Sequence, residues 1–462
     1  MTDRTSPSAQ RADWLYQPAF PAHWKRRALY SLARWVNGVA FRDIQFSPTG
    51  KPVIKIAEIK QGLTDQTRYT EQVFDESVHV KKGDLLFTWS GQPETSIDVF
   101  WWRGPDGWLN QHSFRVTPNE GIDPVFFYYL LKYLSPNFIE IAHNKQTTGL
   151  GHVTKQDLES MEVAYPQLSE QRAIAHILGT LDDKIELNRR MNETLEAIAQ
   201  ALFKSWFIDF DPVHAKAEGR DTGLPPEVAA LFPESFEDSE LGQIPRGWEV
   251  GVLNDLVEAI LGGDWGQDEA TAEAVMPVRC IRGADIPDLQ KGGTGKMPVR
   301  FVKPASLRRR QLSDGDVVVE ISGGSPTQST GRPVFVSGRL LGRLGMPVVC
   351  SNFCRSIKFR SPMFSRFAYF WLRSLYESDE FLQFENGTTG IKNLAFTRFS
   401  SDYKLCIPPL QVLRAFDQQV SCVFDKQQTN AAESDTLSAV RDGLLPRLLS
   451  GAVKTDSYVA DA

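Results

Sequence analysis

Between residues 169 and 207 apolar side chains recur at alternating three- and four-residue spacings: Ile174, Ile177, Leu181, Met191, Leu195, Ile198 and Leu202. The same register runs through Lys184 and Asn188 at its centre and Ser205 at its end. This is the period of a heptad seam and predicts a long helix with one narrow apolar stripe. Ser169 suits the N-cap, Glu170 and Gln171 the first turn, and the Asp211-Pro212 step the far end. At 1.5 Å per residue the helix is roughly 55 Å long. Asn188 either lies in the seam, where a buried amide sets register, or faces water while Ile185 and Leu187 pack instead. So narrow a stripe requires a partner helix.

The chain carries that partner as a second copy. Moved back by 242 positions, residues 408–449 place Phe416, Val423, Leu437, Val440 and Leu444 on Ile174, Leu181, Leu195, Ile198 and Leu202. Lys426 and Asn430 fall on Lys184 and Asn188. The second seam is more polar, with Gln419 and Glu433 opposite Ile177 and Met191, and Gly443 and Pro446 predict an early end. The segments ahead of the helices repeat too. Thr147-Thr148-Gly149-Leu150 matches Thr388-Thr389-Gly390-Ile391 at a shift of 241, and Gly83-Asp84-Leu85-Leu86 matches Gly315-Asp316-Val317-Val318 at 232. Pro21-Ala22-His23-Trp24 matches Pro245-Arg246-Gly247-Trp248 at 224. The order is kept while the offset drifts, as loop insertions produce.

The expected architecture is therefore α+β. Two similar mixed α/β modules are separated by two long helices in an antiparallel coiled coil, with an internal pseudo-twofold repeat. The boundaries read as a disordered N-terminus over 1–19, a first module over 20–166 and a central helix over 167–208. A linker over 209–243, a second module over 244–406, a C-terminal helix over 407–451 and a tail over 452–462 complete the chain. In the first module 51–60, 83–89 and 110–116 read as strands and 123–134 as an aromatic-rich helix. Polar loops fall at 90–95 and 145–152, with counterparts at 322–329 and 387–393.

Composition adds limits. With 42% hydrophobic and 23% charged residues the 462-residue chain has the make-up of a folded protein, and no apolar run approaches a membrane span. A polar N-terminus without an apolar core points to the cytoplasm. Five cysteines (Cys280, Cys350, Cys354, Cys406, Cys422) lack CxxC spacing and read as reduced, buried thiols; the seven histidines show no metal-ligand spacing. A net charge of −6 requires that any nucleic-acid contact come from local basic surface, such as Lys81-Lys82 or Arg308-Arg309-Arg310, or from a partner.

Catalytic motifs fail in turn. Asp43 with Glu58-Ile59-Lys60 resembles the D…ExK set of metal-dependent nucleases, but the repeat sets Gly283 and Asp285 opposite Glu58 and Lys60. Gly292-Gly293-Thr294-Gly295-Lys296-Met297 has Gln290 and Met297 where a phosphate loop needs glycine and a hydroxyl, so it is a turn. No GxSxG elbow occurs, and Asp211-Pro212-Val213 is not the N/D-P-P-Y/F stretch of DNA amino-methyltransferases. No catalytic residue is assigned and no metal site is expected.

Two stretches, FKSWFIDFDPVHAKAEG at 203–219 and LFPESFEDSELGQIPRGWEV at 231–250, resemble the central region of the specificity subunits of type I restriction-modification systems. LLPRLLSG at 444–451 is similar to the way those subunits end. The resemblance implies two target-recognition domains, each reading one half of a split, asymmetric double-stranded DNA site, with the helices as spacer. It implies as partners two methyltransferase (modification) subunits and two motor-nuclease (restriction) subunits. S-adenosylmethionine, ATP and Mg²⁺ would bind those partners, and this chain would carry no cofactor. Base readout needs amides, hydroxyls and guanidinium groups at groove depth. That selects Ser90, Gln92, Thr147, Thr148 and His152 in the first module. It selects Ser322, Ser325, Gln328, Arg332, Thr388, Thr389, Lys392 and Asn393 in the second. The paired threonines either read bases or turn their loops onto their own modules. Rival readings are a scaffold whose modules bind protein, and a self-sufficient methyltransferase or nuclease.

Overall fold

A computed structural model describes residues 19–42, 45–146, 149–323, 329–387 and 392–455. The chain divides into two compact units. One runs to Lys184 and resumes at Leu437; the other is Ile185–Thr436. Each unit thus takes a module together with a part of both long helices.

In the first unit an antiparallel sheet orders its strands Ala33–Asn37, Ser113–Pro118, Leu85–Thr88 and Asp98–Trp101. A smaller sheet joins Tyr69–Thr70, Lys51–Ile54, Gly107–Leu109 and His79–Val80, with the central pair parallel. The helix Pro124–Tyr133, capped by Asp123, packs Phe126, Phe127 and Leu130 with Phe87, Val99 and Val116 in one core. Ile174 and Leu178 of the first long helix, and Leu448 and Leu449 of the second, close that core.

The second unit repeats the plan. Its main sheet orders Val257–Gly262, Cys354–Phe359, Val317–Glu320 and Pro333–Phe335. The smaller sheet joins Val299–Val302, Met276–Ile281 and Val348–Cys350, and again holds one parallel pair. The helix Pro362–Glu377 buries Phe367, Phe370 and Leu375 with Phe203, Phe207, Phe416 and Phe424 of the long helices.

The long helices are Leu168–Phe207 and Leu410–Leu449, 40 residues each, or roughly 60 Å at 1.5 Å per residue. Within the second unit they lie antiparallel, with Asn188 beside Asn430 and Ser434 and Glu196 beside Gln427. Asn188 is 1% exposed, which settles the alternative left open by its position: it lies in the seam. Its Nδ2 donates to the Asn430 carbonyl (3.3 Å) and to Glu433 (2.9 Å), while its Oδ1 is buried without a partner. Asn430 in turn donates to Asn192 (2.9 Å), and Gln427 donates to the Asn192 carbonyl (3.2 Å) and to Glu196 (3.0 Å).

Four expectations are corrected. The seam drifts: Ile198 is 55% and Val440 45% exposed, while Leu178, Asn192, Ala199 and Phe203 take the buried places expected of Ile177, Met191, Ile198 and Leu202. A strict seven-residue repeat slips around a 3.6-residue helix, and here the helix must also face its module. Pro446 does not end the second helix early, because it falls in the last turn, whose buried Leu448 and Leu449 hold it in place. The strand expected over 51–60 stops at Ile54; Glu58 accepts the Lys55 backbone N–H (3.1 Å) and starts the helix Ile56–Gln61. The segment 209–243 is built rather than merely connecting, with a helix Asp211–Ala217 and a hairpin of Phe236–Ser239 with Gly242–Pro245. Phe232 from that segment packs edge-on against Trp206 at 5.1 Å.

Candidate nucleic-acid interface

In the first unit the two polar loops meet. Ser90–Gly91 pairs antiparallel with Gly151–His152, setting His152 opposite Ser90. Glycine is required here: Gly91 has φ +134°, and a Cβ on Gly151 would lie 2.3 Å from the Ala142 carbonyl. Gln92, exposed, precedes the short helix Pro93–Ser96. Behind the second loop, Thr154 and Asp157 cap each other around the helix Lys155–Ser160, and Lys145 donates to both Asp157 oxygens (2.6 and 2.7 Å). Burial pushes the Asp157 carboxyl up, but Lys145 and Thr154 outweigh it and hold the group below the usual carboxylate range. Thr147 and Thr148 lie outside the described residues.

A third segment joins this face. The Trp89 N–H donates to the His112 carbonyl (3.3 Å), the two rings stand 5.9 Å apart, and the Trp89 indole donates to Asn37 (3.0 Å). Gln111 Nε2 lies 3.3 Å from His112 Nε2. No sequence motif marks Asn37, Gln111 and His112, because sheet pairing, not proximity in the chain, brings them to the loops.

The second unit builds the same corner from different side chains. Ser322–Gly323 pairs with Lys392–Leu394, with Ser322 opposite Asn393 and Gly323 opposite Lys392. The Ile321 and Ser322 N–H groups donate to the Phe353 carbonyl at 2.8 and 3.2 Å, the counterpart of the Trp89–His112 bond. Phe353 and Asn352 are exposed, and a cleft of about 540 Å³ is lined by Ile321, whose N–H holds the Phe353 carbonyl, and by Arg355, Phe396, Thr397, Arg398 and Ser401.

The remaining expected readers divide. Asn393 is exposed, whereas Ser322 opposite it is buried. Arg332 bonds the Tyr376 hydroxyl (2.8 Å), and Lys392 pairs with Glu385 (3.2 Å), which also takes the Thr330 N–H and hydroxyl. These two cations tie the loop bases to the module. Burial raises the nearby Glu320 carboxyl above its ordinary range, against the pull of Arg332. Ser325, Gln328, Thr388 and Thr389 lie outside the described residues.

The nuclease-like trio does not assemble among the described residues: Glu58 is a buried helix cap, Lys60 donates to the Thr95 carbonyl, and Asp43 is not described. Among the described residues no group of three or more His, Cys, Asp or Glu could hold a metal ion, and no helix is long and apolar enough to cross a membrane. Cys280, Cys350 and Cys354 are buried, and burial pushes the Cys280 and Cys354 thiols up to about 12. Cys422, expected inside, is exposed, because it falls on the solvent side of the second long helix.

The chain also has relatives among known proteins. Residues 21–197 match the family described as the type I restriction modification DNA specificity domain. The chain is 27% identical over 427 residues to the type I restriction enzyme HindI specificity subunit of Haemophilus influenzae, covering 81% of this chain and 87% of that one. It is 26% identical over 471 residues to the MjaIX specificity subunit of Methanocaldococcus jannaschii, covering 92% and 98%. A crystal structure of a type I system S subunit from M. genitalium aligns over 94% of this chain and 97% of that one, at 16% identity and a TM-score of 0.47. Over residues 21–197 the chain matches that domain family, and over most of its length it is similar to specificity subunits of type I restriction-modification systems.

Proposed function

We propose that each unit reads one half of a split, asymmetric site in double-stranded DNA, and that the long helices set the distance between the halves. The observation that carries this reading is the duplicated corner. One plan of sheet, paired loops and flanking segment occurs twice, presenting Gln92, His112 and His152 in one copy and Asn393, Phe353 and Arg355 in the other. Duplication of scaffold with divergence of surface suits two unlike half-sites, and a helix of roughly 60 Å matches under two turns of duplex at about 3.4 Å per base pair. The chain performs no chemistry itself. Two methyltransferase subunits dock on the helices and supply S-adenosylmethionine-dependent adenine methylation together with much of the phosphate contact, which reconciles the net charge of −6 with a DNA ligand. Two motor-nuclease subunits, using ATP and Mg²⁺, complete the restriction complex.

Mapping methylated adenines in cells that express the chain with its methyltransferase tests this. The expected result is one bipartite motif with unlike halves at fixed spacing, and binding by the complex that falls steeply with salt. Methylation without a split motif, or turnover by the isolated chain, overturns it.

A further inference from the structure

Phe353 stands 57% exposed on a loop whose other groups are polar or cationic. Its carbonyl is fixed by the Ile321 and Ser322 N–H groups, so the residue moves with the Ser322–Gly323 strand of the paired loops. The next residue, Cys354, enters the main sheet and is buried, which turns Phe353 outward. Arg355 and Arg398 line the adjoining cleft, the latter in an exposed pair with Asp402 at 3.5 Å. In the first unit the same place is held by His112. An apolar ring gains nothing in water, and its burial against an apolar group is favourable.

We propose that Phe353 is a specificity residue of the second unit, packing on the C5-methyl of one thymine in the major groove while Arg355 and Arg398 hold neighbouring backbone phosphates. The proposal rests on the DNA-reading function above. Among the base edges in the major groove, thymine alone presents a methyl group. A phenyl ring set against the amino and carbonyl edges of the other bases would strip their water without replacing a hydrogen bond, so the residue selects against them as well. Guanidinium groups suit phosphate oxygens, which position the protein without reading sequence.

The test uses the complex with its methyltransferase and the motif found by methylation mapping. Duplexes carry deoxyuridine in place of each thymine of both half-sites, one at a time, which deletes only the methyl. At one position in one half-site the substitution weakens wild-type binding about four-fold, the worth of one methyl at roughly 0.8 kcal/mol. Phe353→Ala binds the thymine and deoxyuridine duplexes equally there and leaves the other half-site unchanged. Wild-type indifference at every thymine, or methyl discrimination that survives in Phe353→Ala, overturns the proposal. So does a duplex bend that Phe353→Ala abolishes without any methyl effect, which marks a wedge between base steps. Failure to find a split motif defeats the DNA-reading function itself and is seen before any duplex is made.

Discussion

The two units close their helix pairs with opposite chemistry at matching positions. In the first, Asp182 takes the Tyr129 hydroxyl (2.6 Å) and a guanidinium N–H of Arg441 (2.6 Å). Burial and the Asp182 carboxylate both raise the Tyr129 pKa, and Asp182 with Asp442 keeps Arg441 firmly charged against the pull of burial. At the repeat-related positions the second unit has Phe370, Phe424 and Ala199. Phe370 and Phe424 stand 5.9 Å apart within an aromatic core that also holds Phe203 and Phe416. The second unit keeps its polar groups one turn away, where Glu196 is held by Arg373 and Gln427. There the first unit has Ser438, and its Lys132, the counterpart of Arg373, turns to Asp98 instead (2.8 Å). Backbone geometry is thus common to both copies, whereas the side-chain solution is not. A helix crossing needs satisfied groups, not particular ones.

Breaking the buried pair of the second unit should have the largest effect. Arg373→Leu leaves the Glu196 carboxylate buried without its cation, with only neutral donors, and is expected to cost about 3 kcal/mol, read as lost hydrogen-exchange protection in residues 185–436. Adding Glu196→Gln removes the orphaned charge and should recover most of that loss. The first unit's clasp is more accessible, with Asp182 and Arg441 each about one quarter exposed, so Asp182→Leu should cost about 2 kcal/mol in urea unfolding. The triple change Tyr129→Phe, Asp182→Phe and Arg441→Ala transplants the second unit's residues. It should stand within about 1 kcal/mol of wild type, because a hydrophobic replacement of a buried ion pair is often neutral. A triple variant as unstable as Asp182→Leu would show that the two solutions are not interchangeable.

The same contrast explains what was legible in the sequence. Two helices, the repeat and the positions of the polar loops follow from spacing alone, because periodic burial leaves a periodic trace. A single apolar stripe misplaces Ile198 and Val440, because each helix serves two faces, its partner and its module, and one stripe describes only one of them. His112 and Phe353 leave no signal: the sheet pairing that sets each beside its paired loops links residues more than twenty positions apart. Asn188 was legible as an interruption but not as a buried one. Its unpartnered Oδ1 predicts that Asn188→Leu raises the free energy of unfolding, by on the order of 1 kcal/mol, while weakening the register that the amide imposes. Unchanged or lower stability would assign the amide a net favourable role.

The smallest effect separates the bases of the two paired-loop corners. In the first unit Lys145, Thr154 and Asp157 lock the loop; at the matching positions the second unit has Asn386, Ala395 and Arg398, and relies on Glu385 with Thr330 and Lys392. The folded pKa of Asp157 lies below its unfolded value of about 3.9. Its contribution is therefore complete above that pH and is lost as the pH falls through the lower folded value. Protection factors around Gly151–His152, with the intrinsic pH dependence of amide exchange divided out, should fall on acidification through that window. Asp157→Asn should flatten the dependence and leave the loop open at neutral pH to the extent that Lys145 is released. Exchange at Lys392–Leu394 should not respond to the substitution, since no element of the Asp157 lock recurs there. An acid response at Gly151–His152 that persists in Asp157→Asn would place the anchor elsewhere and remove this difference between the two corners.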